Sequence, residues 1–117
     1  MTSPPPTIVV LIQTDPSSTH RAAEGIRIAL GLSTGPNPLT IILLGKALIL
    51  LTDEAFDSTE GEILEKHLPV IQELEIPILI PEGSQSTLSL DTNFAIQETP
   101  LQELGKILAS ADRTLVF

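Results

Sequence analysis

Thr7-Ile8-Val9-Val10-Leu11-Ile12 is the stretch from which the fold follows. It shows no alternation of apolar and polar residues, so neither face of a strand built from it meets water. Such a strand belongs inside a parallel sheet covered on both sides. After the turn residues Asp15-Pro16-Ser17-Ser18, Ala22, Ala23, Ile26, Ala29 and Leu30 recur at helical spacing, with Arg21, Glu24 and Arg27 on the other side. This is an amphipathic helix, ended by Gly31 or by the loop Gly35-Pro36-Asn37-Pro38. Leu39 to Leu44 repeats the buried-strand pattern, and Gly45 breaks it before Lys46 to Leu51, read as a short helix.

Asp53 to Glu65 holds six acids and no base, which predicts a solvated stretch. Helical spacing resumes with Ile63, Leu64, Leu68, Ile71 and Leu74, and Pro69, lacking an N–H, is expected to kink or restart that helix. Ile76 to Ile80 reads as a third strand, followed by the loop Pro81-Glu82-Gly83-Ser84. Ser84 to Asn93 is polar and aperiodic, and Phe94 to Gln97 fits a short strand. Thr99, Pro100 and Gln102 form a capping-box pattern for a last helix, with Leu101, Leu104, Leu108 and Ala111 along one face. Arg113 to Phe117 closes the sequence as an apolar strand. Strands alternating with helices predict a three-layer, flavodoxin-like α/β fold, a mainly parallel sheet covered by helices on both faces. The expected organisation is a flexible Pro-rich tail over residues 1–6 and one domain over residues 7–117.

Composition narrows the function classes. Six Lys and Arg oppose fifteen Asp and Glu, a formal charge of −9, which disfavours nucleic acid as a partner because its binding rests on cationic neutralisation of phosphates. The absence of Cys excludes a disulfide, a thiolate metal site and a persulfide on this chain. With no Trp, no Tyr and three Phe, the sequence has little to stack against bases or sugars. Leu39 to Leu51 falls short of the roughly 20 apolar residues a bilayer span needs, and Met1 to Pro6 lacks the basic start of a signal peptide. The expectation is a cytoplasmic protein with no membrane segment, no cofactor and no metal.

In an open parallel sheet, ligands bind outside the carboxyl ends of the strands, which singles out the loops after the first and third strands. Asp15, Ser17, Ser18, Thr19 and His20 precede a helix, and Ser84 follows the third strand; together they are the candidate ligand-binding residues, suited to a small anion at a helix start. The same residue types are ordinary helix caps, and no Gly-rich phosphate fingerprint accompanies them. His20 lacks a nucleophile partner, and His67, far from it in sequence, gives no metal-ligand spacing. No catalytic residue is assigned. Ala47, Leu48, Ile49, Leu50 and Leu51 cannot all face one core from a single helix, so this segment is the candidate interface with another subunit; full burial within the monomer is the other possibility.

Four stretches together resemble one family. They are Ala23-Glu24-Gly25-Ile26-Arg27, Leu43-Leu44-Gly45 with the apolar segment after it, Glu73-Leu74-Glu75-Ile76-Pro77-Ile78, and Ala111-Asp112-Arg113-Thr114-Leu115-Val116-Phe117. From Thr7 onward the chain resembles the DsrE/DsrF-like family, which includes the TusD and TusC subunits of bacterial sulfur relay. The resemblance implies the flavodoxin-like fold and a homo-oligomer, a trimer or hexamer. It also implies a cysteine in the loop after the third strand that carries sulfur as a persulfide. Here Pro81 or a near neighbour stands in that place, and neither proline nor Ser84 supplies the polarizable thiolate that sulfur transfer needs. Glu75 replaces the glycine often found before that strand. The function implied is that of a non-catalytic structural or regulatory subunit in a sulfur-relay-like system, with a related cysteine-bearing subunit as a possible partner. The alternative is a small-anion or small-ligand binding protein using the loop after the first strand.

Overall fold

The computed structural model describes residues 6–117; the Pro-rich tail lies outside the described residues except for Pro6. Five strands, β1 (Ile8–Ile12), β2 (Leu39–Leu43), β3 (Ile78–Pro81), β4 (Ile96–Thr99) and β5 (Arg113–Val116), form one sheet in the order β4-β3-β2-β1-β5. Every pairing is parallel. The uninterrupted apolar run of β1 is explained by its central place, buried at all five residues. Val10 and Ile12 join one hydrophobic cluster and Val9 and Leu11 the other, as the two-residue period of a strand requires.

Helices α1 (Arg21–Ser33) and α2 (Gly61–Glu73) cover the first face, and α4 (Leu101–Ser110) covers the second, where Leu104 seats against Val9, Leu11, Ile42 and Leu79. A single turn, α3 (Ser84–Thr87), follows β3. This is the α/β, three-layer, flavodoxin-like architecture. β5 is an exposed edge, and Arg21 holds its end: the guanidinium donates to the Val116 carbonyl at 3.0 Å and lies 5.7 Å from the centre of the Phe117 ring.

Several elements depart from expectation. The apolar segment after β2 is a 3-10 helix, Gly45–Leu51, and Ala47, Leu48, Leu50 and Leu51 are buried inside this chain; Ile49 is half-buried. The premise that one domain cannot hide them fails for a geometric reason. A second 3-10 turn, Asp53–Asp57, packs against the segment, α2 packs on that turn, and the segment joins Leu64, Leu68 and Ile71 of α2 in one hydrophobic cluster, so its side chains are enclosed from more than one direction. The acidic stretch is therefore solvated but not a loop. α2 continues through Pro69, and of the five apolar residues that spacing assigned to it only Leu64, Leu68 and Ile71 enter the core; Ile63 stays exposed, as does Leu74 at the C-cap. β4 begins at Ile96 and ends at Thr99, so Thr99 belongs to the strand. Pro100 is the N-cap residue of α4, and no side chain caps that helix. Leu101, in the first turn of α4, is left 69% exposed.

Two backbone positions decide local geometry. A Cβ on Gly61 would overlap the Phe56 carbonyl oxygen, so only glycine lets α2 start against the preceding turn. Glu75 adopts φ +53, just past the C-cap of α2, where the Ile76 N–H bonds back to the Ile71 carbonyl. That left-handed position is the one helices usually end on with glycine.

Candidate functional site

The carboxyl ends of the strands gather four loops along one edge. The sheet order places the β2 loop, Leu44-Gly45-Lys46, between the β1 loop (13–20) and the β3 loop (81–84). The segment after β3 returns on the α1/α2 side, where Leu90 and Phe94 join that cluster, whereas the segment after β4 leaves on the α4 side. The connections that follow these two adjacent strands thus part to opposite faces of the sheet.

The polar groups of the β1 loop are engaged in their own turn. The Asp15 carboxylate accepts the Ser17 N–H at 2.8 Å and the Ser18 hydroxyl at 3.3 Å, and Thr19 Oγ1 accepts the Arg21 N–H at 2.9 Å. These are the capping roles that such residues play before a helix. His20 is exposed, with no side-chain cap bond at the start of α1. It lines a groove of about 170 Å³ between α1 and α2 with Ala23, Glu24, Arg27, Glu60 and Ile63. Lys46 Nζ stands 4.0 Å from Asp15 Oδ2 and remains largely exposed, an ion pair across the β1 and β2 loops. The Thr14 hydroxyl, just after β1, is buried without a hydrogen-bond partner among the described residues.

At the carboxyl end of β3 the Ser84 hydroxyl donates to the Pro81 carbonyl of its own turn. Gly83, at φ +90, supplies the left-handed bend that starts α3. The Glu82 N–H donates to the Thr99 carbonyl at 3.1 Å, and Glu98 Oε1 accepts the Gln85 N–H at 2.9 Å. Ser84 thus lies on the same edge as Asp15 to His20, with the β2 loop between them, and its hydroxyl makes no bond to them. Glu98 is the residue that sequence reasoning missed. Glu98 falls one residue past the short strand read from the sequence, so no signal there marked it, and only the β3–β4 pairing shows that it anchors the loop after β3. Nothing in this arrangement pairs a nucleophile with a base.

His67, on α2, has its Nδ1 buried with no hydrogen-bond partner among the described residues. Among the described residues, no group of three His, Asp or Glu side chains is placed to hold a metal ion, and no helix is long and apolar enough to cross a membrane.

No protein-family model matches the sequence, and no curated protein is significantly similar to it. Solved structures do match in fold. The crystal structure of the ychN protein from E. coli superposes with a TM-score of 0.74 over 96% of this chain and 99% of that one, at 19% sequence identity. The likeness is one of architecture. It places the parallel sheet and its helices in a known arrangement and leaves the chemistry of the loops to the residues themselves.

Proposed function

We propose that this chain is a DsrE/DsrF-like domain that serves a sulfur-relay-like system in the cytoplasm as a non-catalytic subunit. It associates with copies of itself, as a trimer or hexamer, or with a related cysteine-bearing subunit. One observation carries this reading: the loop at the carboxyl end of β3 is Pro81-Glu82-Gly83-Ser84, in a chain without cysteine, so the position the family uses for a persulfide holds no sulfur nucleophile. The full-length match in fold to the ychN structure supports it. The test mixes the chain with a cysteine-bearing relative encoded beside it and a labelled sulfane donor. Co-migration of the two proteins, with the label on the relative and its loading altered by this chain, is the expected result. Separate migration with unchanged loading refutes the reading.

A second reading, anion binding at the same edge, rests on Lys46, whose ammonium lies exposed beside the 13–20 loop. Inorganic phosphate in large excess over its dissociation constant would then raise thermal stability, and Lys46→Ala would abolish the rise. A flat response in the unaltered chain refutes it.

A further inference from the structure

The hydrogen bonds of β5 divide its residues into two sets. The Arg113 N–H donates to the Thr7 carbonyl at 3.1 Å, the Phe117 N–H to the Leu11 carbonyl at 2.8 Å, and the Gln13 N–H to the Phe117 carbonyl at 2.8 Å. A parallel strand turns the backbone of every second residue to its neighbour, so Arg113, Leu115 and Phe117 face β1. Thr114 and Val116 therefore turn their N–H and C=O groups outward, where no described strand pairs with them. All of β5 is exposed, and a row of free backbone groups on a sheet edge is a template for another strand. One of these groups is taken. The Arg21 guanidinium donates to the outward Val116 carbonyl at 3.0 Å. It is held there from the start of α1, where the Arg21 N–H donates to Thr19 Oγ1, and by the Phe117 ring against which it lies.

We propose that Arg21 keeps this edge closed to the β5 strand of a second copy of the chain. A duplicate of β5 is the strand whose free groups match those of the edge. About a two-fold axis, antiparallel strands that set Thr114 against Val116, Leu115 against Leu115 and Val116 against Thr114 pair the outward N–H and C=O groups of both copies. Arg21 opposes that pairing in two ways. Its guanidinium stands where the Thr114 N–H of the second copy would donate to the Val116 carbonyl. The same register also sets Arg113 of the second copy opposite Phe117. Arg113, Leu115 and Phe117 alternate onto the sheet face of Val10 and α1, so that cation arrives beside the one already lying over the Phe117 ring. Like charges opposite one another across a strand pair repel, and symmetry repeats the clash. The side chain that fastens the end of β5 to α1 thus also guards its free edge.

The inference stands apart from the sulfur-relay reading and requires only that copies of the unaltered chain meet on surfaces other than β5. Sedimentation equilibrium of the full chain from about 1 to 200 μM tests it, with circular dichroism to show that each variant folds. Arg21→Ala is expected to associate at least roughly tenfold more tightly than the unaltered chain, since each copy frees a carbonyl and loses a repulsion. Arg21→Met, which keeps a long side chain against Phe117 without a donor or a charge, should do the same and serves where the alanine variant does not fold. Thr114→Pro removes an N–H that points away from β1, a replacement that an edge strand tolerates. It should return either Arg21 variant to the association of the unaltered chain and leave the unaltered chain's own association where it was. Arg21 variants that associate no more tightly than the unaltered chain overturn the proposal, as does extra association that survives Thr114→Pro. Weaker association of the unaltered chain on Thr114→Pro alone also overturns it, by showing that the edge is already in use. None of these outcomes bears on sulfur transfer, which the labelled donor decides by itself.

Discussion

Replacing Leu50 by alanine distinguishes a segment enclosed by its own chain from one that waits for another subunit. Leu50 is 1% exposed in the isolated chain, within the 3-10 helix Gly45–Leu51. Removing its branched end deletes buried aliphatic volume at a site walled by the 3-10 turns and α2, which leaves little freedom for collapse. Leu-to-Ala changes at such sites cost about 3 kcal/mol, within a range of roughly 2 to 5. A domain of 117 residues unfolds with an entropy of about 0.25 kcal/mol per kelvin, so the midpoint should fall by about 12 °C. The assay is thermal and urea unfolding of both proteins at about 2 μM and about 100 μM. Because the contact is within one chain, the loss should be the same at both concentrations. Ile49→Ala, at the half-buried neighbour, should cost roughly half as much. A loss below about 1 kcal/mol, or one that disappears on dilution, would show that Leu50 acts between subunits and would refute the packing described for this segment.

Glu75→Gly should stabilise the chain by about 1 kcal/mol, because φ +53 strains a residue with a Cβ and suits one without; a denaturant midpoint that fails to rise counts against the strain. Gly61→Ala should cost at least about 2 kcal/mol, since its Cβ meets the Phe56 carbonyl oxygen and the backbone must shift. Equal stability there would mean that the turn before α2 yields freely. Arg21→Ala removes both the bond to Val116 and the guanidinium over Phe117, with an expected loss of about 1 kcal/mol. Hydrogen exchange should show the loosening confined to β5, and uniform exchange across the sheet would assign Arg21 no particular hold on that edge.

Much of the fold was legible in residue order because each side chain's immediate surroundings were predictable. β1 and β2 announced themselves by apolar runs with no alternation, and α1 by a stripe that is in fact buried at Ala22, Ala23, Ile26 and Ala29. Where two environments suit one residue pattern, the pattern did not decide. Ile63 and Leu74 fit the period of the core face of α2, yet they stand outside it, because the core sees only about a third of the helix circumference. Ala47 to Leu51 suggested a surplus of apolar bulk, and the surplus vanished once Asp53–Asp57 and α2 closed over it. The candidate ligand residues follow the carboxyl ends of β1 and β3, but their hydrogen bonds depend on turn geometry that spacing does not encode. Glu98 needed the partner strand before its role could be read.

Sequence alone determined the alternation of strands and helices, the parallel sheet, the lack of a sulfur nucleophile and the excess of negative charge. These follow from the period of apolar residues and from an inventory of functional groups, neither of which requires knowing what lies nearby in space. Only the tertiary structure decided the strand order, which apolar residues were enclosed, and which polar groups of the loops were already spoken for. Each of those depends on contacts between residues distant in the chain, and burial is a property of the assembled surroundings of a side chain.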